Sequence, residues 1–178
     1  RNNGRGLFTC CKPRHAHDTI IYEMPVKGYT SRENSGICWR KRGTYAGVMS
    51  GTGGLTKTGS ASLNIIGANT YSGPTIVAGG TLGIGQGGSI RNSTAINISN
   101  GSRFVVFEPN ALSPTGAVSL TGAGSQFETL FDQQIGSLAG GADTSVIPGL
   151  GVVLTTGTNN TSTVFSGTIG SVFGDGSL

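Results

Sequence analysis

The side chains able to do acid–base work along most of the chain are five: Glu108, Glu128, Asp132, Asp143 and Asp175. Polysaccharide lyases and hydrolases built on stacked strands use clustered carboxylates, sometimes with Ca²⁺ or a basic residue as the proton abstractor. Here the acids are scattered singly. Glu128 and Asp132 are spaced to meet around a turn, but the reading adopted is solvated surface acids. No His follows residue 45 to activate a hydroxyl nucleophile, and no G-x-S-x-G elbow is present. Gly83, Gly85 and Gly88 spell G-x-G-x-x-G, which before a helix would seat a phosphate. The following Ser89-Ile90-Arg91-Asn92-Ser93 is turn-like, so a corner is expected there. Nearer the start, Cys10, Cys11, His15, His17 and Cys38 are zinc-ligand types. Adjacent cysteines cannot easily both face one ion, and the C-x-x-C pairing is missing. Arg40-Lys41-Arg42 after Trp39 reads as a short solvated charge run. The expectation is therefore no enzyme, no cofactor and no metal.

Composition divides the chain in two. Residues 1–45 hold nine Lys/Arg against three acids, or +6, and all three cysteines; residues 46–178 hold three Lys/Arg against five acids, or −2. The basic balance thus belongs to the head, and a nucleic-acid partner is not expected. Residues 1–44 are read as a separate, poorly structured or mistranslated head, and residues 45–178 as the folded body. The body can use no disulfide, so a secreted protein of this kind needs another source of stability, such as a long hydrogen-bonded stack. No apolar run approaches the length of a membrane helix, so direct membrane insertion is not expected. Gly is 32 of 178 residues and apolar residues are only 35%, which argues against a thick core and for short strands joined by tight turns.

Those strands are legible as period-two alternation. Leu63 and Ile65 flank Asn64; Leu82 and Ile84 flank Gly83; Ile96 and Ile98 flank Asn97; Val118 and Leu120 flank Ser119; Val152 and Leu154 make a further pair. Each is followed within three residues by a Gly: Gly67, Gly85, Gly101, Gly122 and Gly157. Corners between short strands favour positive φ or close backbone approach, which a Cβ obstructs. Asn100-Gly101 is the clearest turn signal. An antiparallel sandwich and a solenoid both suit this pattern. Internal similarity favours the solenoid: Tyr45-Ala46-Gly47-Val48-Met49, followed by Gly54-Leu55, returns 120 residues later as Phe165-Ser166-Gly167-Thr168-Ile169, followed by Ser177-Leu178. The chain then stops inside a unit, so the body is expected to be truncated at its C-terminal end.

Residues 51–85 closely resemble the autotransporter-associated β-strand repeat, also called the passenger-associated transport repeat. The resemblance is carried by Gly54-Leu55-Thr56-Lys57-Thr58-Gly59, then Leu63 with Ile65, then Gly67-Ala68-Asn69-Thr70-Tyr71-Ser72-Gly73, then Ala78-Gly79-Gly80-Thr81-Leu82. Pro74 departs from the more usual Gly and is expected in the turn before Thr75. Ile135–Gly140 and Thr158–Gly167 look like the segments that precede a further copy. The resemblance implies a right-handed parallel β-helix, all-β, exported across the outer membrane by a C-terminal β-barrel translocator and lying at the cell surface or released. It implies a structural passenger segment in which Gly54, Leu55, Thr56, Lys57, Gly59, Leu63, Ile65, Gly67, Asn69, Tyr71, Gly73, Gly80 and Leu82 are framework residues. The alternatives are an adhesin or toxin region with a host surface ligand, glycan or protein, and a polysaccharide-active β-helix enzyme.

Overall fold

The computed structural model describes residues 5–9, 20–25 and 42–170. Cys10, Cys11, His15, His17, Cys38, Arg40, Lys41, Asp175, Ser177 and Leu178 lie outside the described residues. Two strands, β1 (Arg5–Thr9) and β2 (Ile20–Pro25), fall within the head and pair antiparallel with each other. β3 (Arg42–Tyr45) crosses the boundary drawn at Tyr45. Along the body follow β4 (Gly54–Lys57), β5 (Ser62–Ile65), β6 (Thr75–Val77), β7 (Thr81–Ile84), β8 (Ala95–Ser99), β9 (Arg103–Val106) and β10 (Ala117–Thr121). The series continues with β11 (Gln126–Thr129), β12 (Gln133–Gln134), β13 (Ser137–Gly140), β14 (Ser145–Pro148), β15 (Leu154–Thr155) and β16 (Thr168–Ile169).

Alternate strands go to alternate sheets. The first sheet has the order β1-β2-β4-β6-β8-β10-β13 and the second β16-β14-β11-β9-β7-β5-β3. From β4 onward every pairing in the first sheet is parallel, and so is every pairing in the second. β2 alone joins the first sheet's body antiparallel, against β4. A third side is traced by the parallel bridges Ala68↔Ser89 and Ile90↔Leu112 and by β12 against β15. The body is therefore an all-β parallel solenoid, as expected, and not a sandwich.

The register gives the true repeat. In the second sheet Arg42↔Ser62, Ser62↔Thr81, Thr81↔Arg103, Arg103↔Gln126, Gln126↔Ser145 and Ser145↔Thr168 are separated by 20, 19, 22, 23, 19 and 23 residues. The 120-residue similarity is not a structural repeat. Tyr45 lies in β3 of the second sheet, whereas Phe165 bridges Gly140 in the last strand of the first. The variation in rung length is unevenly shared. The corner from the first sheet to the second takes three or four residues, as in Ala78–Gly80 and Thr58–Ala61. The return path takes nine between β5 and β6, ten between β7 and β8, and sixteen from Gly149 to Val164.

Period-two alternation inside these strands builds a thin core. Leu63, Leu82, Phe104, Phe127 and Val146 stack in register down one inward column, and Ile65, Ile84 and Val106 down its neighbour. The opposite sheet supplies Leu55, Ile96, Ile98, Val118, Leu120 and Leu138. Burying each such side chain contributes about 1.5–3 kcal/mol. Phe104 and Phe127 lie one rung apart with ring centroids 5.7 Å apart and planes 23° from parallel, an offset stack. The alternation read at Val152 and Leu154 is not a strand of that length. Val152 donates its amide back to Gly149 in a turn, and β15 comprises only Leu154–Thr155.

Candidate functional site

Residues 54–82 occupy two consecutive rungs, β4–β5 and β6–β7, and their side chains divide between the core and the corners. Leu55, Leu63, Ile65 and Leu82 are core residues with at most 1% exposure. Thr56 is half-buried on the other face of β4. Five glycines of the segment meet two different demands. Gly59 and Gly80 have φ of +75° and +61°, the left-handed region that disfavours a side chain. At Gly54 and Gly67 a Cβ would strike the Pro74 and Gly47 carbonyl oxygens one rung away. Gly73 is the same case against Gly53. Among the five strand-ending glycines of the sequence pattern, Gly101, Gly122 and Gly157 have positive φ, while Gly67 and Gly85 do not. Pro74 stands just before β6, where only its carbonyl is used, accepting the Leu55 amide at 2.9 Å.

Lys57 holds the first corner. Its register partners are Val77, then Ile98, then Leu120, so its aliphatic stem fills an inward, apolar column. It is 1% exposed, and its ammonium donates to the carbonyls of Thr58 at 2.8 Å, Gly59 at 2.9 Å and Gly79 at 3.0 Å. Two of these belong to its own corner and one to the corner above. An ammonium has three protons to give, and charge-assisted bonds of this kind are stronger than neutral ones.

Asn69 ties three rungs together. Its Oδ1 accepts the Met49 amide at 2.9 Å, and its Nδ2 donates to Gly67 O at 2.7 Å and Ser89 O at 3.1 Å. Met49 and Ser89 are each 20 residues away, one rung before and one rung after. Tyr71 is fully buried, with its hydroxyl 2.6 Å from Thr75 Oγ1, which lies 2.9 Å from Ser93 Oγ. Burial pushes the Tyr71 phenol pKa up, and the Thr75 hydrogen bond pulls only weakly against it. This chain of hydroxyls explains why Thr75 occupies an inward position that the next rung gives to Ile96.

Other polar anchors carry no signal as a motif. Gln133, 2% exposed, accepts the Ala111 amide at 3.0 Å and donates to Glu108 O at 2.6 Å and Phe131 O at 3.3 Å. It serves the later rungs much as Asn69 serves the early ones. Ser102, Ser125 and Thr144 each stand one residue before a second-sheet strand and donate back across the corner, to the Ser99, Thr121 and Gly141 carbonyls. The only hint of them in the sequence is a small hydroxyl residue immediately before each strand.

The acids do not converge. Glu128 is not a solvated surface acid: it is buried on β11 and ion-paired with Arg103, its neighbour one rung away on β9. Parallel stacking creates this pair: the register sets Glu128 opposite Val105, and Arg103, two residues away on the same face of β9, reaches it diagonally. Asp132 is exposed and accepts the Val153 amide at 2.8 Å. After Gly85 the chain turns through Gln86 and Gly87, both with positive φ, and enters a β-bridge and not a helix. Among the described residues no three His, Cys, Asp or Glu side chains gather as metal ligands. No helix there is long and apolar enough to cross a membrane.

The segment that contains Lys57, Asn69 and Tyr71 is also the one that matches a known family: residues 55–84 fit the model of the passenger-associated-transport-repeat. Over those residues the chain is similar to a passenger-associated transport repeat. In addition, 60 residues are 42% identical to the adhesin BmaC autotransporter of Brucella suis biovar 1 (strain 1330), covering 33% of this chain and 2% of that protein. The chain thus spans a small fraction of that relative. No solved structure matches it. Both likenesses support an autotransporter passenger repeat protein, and the solenoid gives the transport repeat a physical meaning: it is two rungs with the corner chemistry needed to stack them.

Proposed function

We propose that this chain is a structural, non-catalytic segment of an autotransporter passenger, whose stacked rungs support export and surface display. The observation that carries the reading is the arrangement of the transport repeat. Its distinctive polar residues, Lys57, Asn69 and Tyr71, are turned inward onto carbonyls, an amide and a hydroxyl; Lys57 and Asn69 join one rung to the next directly, and Tyr71 holds Thr75, whose hydroxyl reaches Ser93 on the next rung. A rung that pairs only with its neighbours can be added one at a time as the chain emerges, without waiting for distant segments. The translocator required is a C-terminal outer-membrane β-barrel elsewhere in the full-length protein, and the segment then lies on the outer side of that membrane or is released. The absence of an enzymatic role is part of the proposal; it is supported by the engagement of Glu128 with Arg103.

Adhesion is the second reading. It is favoured by the adhesin name of the similar autotransporter and by exposed aromatic rings at Phe107 and Phe131. The primary reading is tested by placing the chain between an export signal and a barrel translocator in a Gram-negative host. Surface delivery is read by digestion with protease added outside the cells. Replacing residues 55–84 by a Gly/Ser linker of equal length should leave most of the passenger undelivered. Undiminished delivery of that variant would refute an export-supporting role for the repeat.

A further inference from the structure

The corner between β8 and β9 holds a residue pair whose chemistry needs no co-reactant but water. Asn100 and Gly101 are both exposed. With φ of +57° and +67°, and the Ser102 amide on Ser99 O at 3.1 Å, they form a type I′ turn. Among the described residues no other Asn precedes a Gly. Gly has no side chain to shield its nitrogen from the asparagine Cγ. The Gly101 nitrogen gives up its proton and bonds to Asn100 Cγ; the Cγ–Nδ2 bond breaks, ammonia leaves with that proton, and a five-membered succinimide remains. Water then opens the ring. Cleavage at Cγ gives aspartate, and cleavage at the Asn100 backbone carbonyl gives isoaspartate, in which the main chain runs through Cγ.

Ring closure depends on one peptide plane. The Gly101 nitrogen must turn toward the Asn100 side chain, the orientation of a type II′ turn, with ψ about −120° in place of the about +30° of type I′. A flip of the Asn100–Gly101 plane interconverts the two turns, and φ of Asn100 suits both. The next rung opposes that flip. Gly101 N donates to Ser125 Oγ at 3.2 Å, and Ser125, fully buried, donates in turn to Thr121 O at 2.7 Å, so its hydroxyl is fixed within its own corner. Flipping the plane takes away that hydroxyl's donor in a site water does not reach. A second left-handed asparagine is held in the same way: Asn110 has φ of +50°, and the Ala111 amide after it donates to Gln133 Oε1 of the next rung at 3.0 Å. There the Ala111 methyl hinders closure as well.

From the exposed Asn100-Gly101 turn and the hydroxyl that locks its peptide plane, we propose that this corner is a site of spontaneous conversion to aspartate and isoaspartate, and that Ser125 of the following rung guards it. Stacked chain keeps its asparagine; chain whose next rung is not in place loses it. The isoaspartate product adds one carbon to the main chain of a corner only three residues long, Asn100–Ser102, between two strands that must stay in register with their neighbours. A segment left unstacked therefore acquires a permanent chemical mark at the point where stacking failed. This holds whether or not the segment supports export.

The test incubates the full chain in mildly alkaline buffer, folded and in urea, and follows residue 100 by peptide mass spectrometry, with enzymatic methylation to count isoaspartyl groups. Unfolded chain should convert at least tenfold faster than folded chain. Ser125→Ala should raise the folded rate at least fivefold and leave the rate in urea unchanged, while Asn92, followed by Ser93, keeps its slow rate in both. Thr144→Ala removes the equivalent corner hydroxyl one rung further on, donating to Gly141 O at 2.7 Å, and should not accelerate residue 100. Equal rates in folded and unfolded chain would overturn the proposal, as would a Ser125→Ala rate matching the wild type. Acceleration by Thr144→Ala as large as that by Ser125→Ala would also overturn it, since general loosening would then be the cause. Should Ser125→Ala not fold, the wild type decides the matter in sub-denaturing urea: conversion that rises in step with hydrogen exchange of the Gly101 amide supports the lock, and conversion independent of that exchange refutes it.

Discussion

Removing the Asn69 amide should cost more stability than any change of similar size on the outer faces. In Asn69→Ala the Met49 N–H loses its acceptor inside the protein, and Gly67 O and Ser89 O lose one donor each. The two carbonyls keep backbone donors, Ser89 N at 3.1 Å and Asn69 N at 2.9 Å, so only the Met49 amide is orphaned. An orphaned buried donor costs about 1–3 kcal/mol and each of the two lost net hydrogen bonds about 0.5–1.5 kcal/mol, giving about 2–6 kcal/mol in all. With a urea dependence of about 2 kcal/mol/M, the unfolding midpoint followed by far-UV circular dichroism should fall by about 1–3 M. Asn69→Asp should be worse at neutral pH, because it keeps the acceptor for Met49 but turns a buried carboxylate toward two carbonyls. Burial, with two carbonyl oxygens facing the carboxylate and only the Met49 amide donating to it, raises the folded pKa above the ordinary carboxyl value of about 3.9. Stability should accordingly return on acidification, as protonation restores a donor, and be lost as pH rises through the folded value. Asn97→Ala, exposed on β8, is the control, with an effect within about 0.5 kcal/mol. If Asn69→Ala matched that control, or if Asn69→Asp were the milder change at neutral pH, the three-rung clamp would be wrong.

Two further outcomes follow from the same geometry. Gly80→Ala should destabilise by about 2 kcal/mol or more, since it combines a left-handed backbone with a collision against the Ala61 carbonyl; Gly87→Ala, at φ +84° with open space around it, should cost only about 1 kcal/mol, and both are read by urea midpoints. Tyr71→Phe should cost about 1 kcal/mol at neutral pH for the lost bond to Thr75. Because the folded phenol pKa is raised, the wild type's stability should be constant in pH up to the ordinary Tyr value of about 10 and fall above it. Tyr71→Phe should show less of that alkaline loss in a pH series of denaturation curves.

The strand content was legible because one-sided strands leave a two-residue period, and Leu63-Asn64-Ile65 and Ile96-Asn97-Ile98 show it plainly. The rung length was not. Successive Leu63, Leu82, Phe104, Phe127 and Val146 are equivalent positions, but spacings from 19 to 23 blur any fixed repeat. An accidental likeness between Tyr45 and Phe165 therefore looked more regular than the real period. Lys57 and Asn69 stood out only within the family resemblance, because their partners are backbone carbonyls and an amide, which have no residue type to recognise. Glu128 looked solitary for a related reason. Its partner Arg103 is one rung away in space and 25 residues away in sequence.

The uneven sharing of rung length separates two tasks within one coil. Corners of three or four residues act as a narrow gauge, differing by at most one residue while the strands on either side stay in register with those beneath. The return path absorbs surplus chain as an outward bulge, as Gly149–Val164 does, and leaves the ladder undisturbed. New sequence can therefore accumulate along one flank of the shaft while the shaft itself stays straight, so that variation is presented to the surroundings on a scaffold that need not change to hold it.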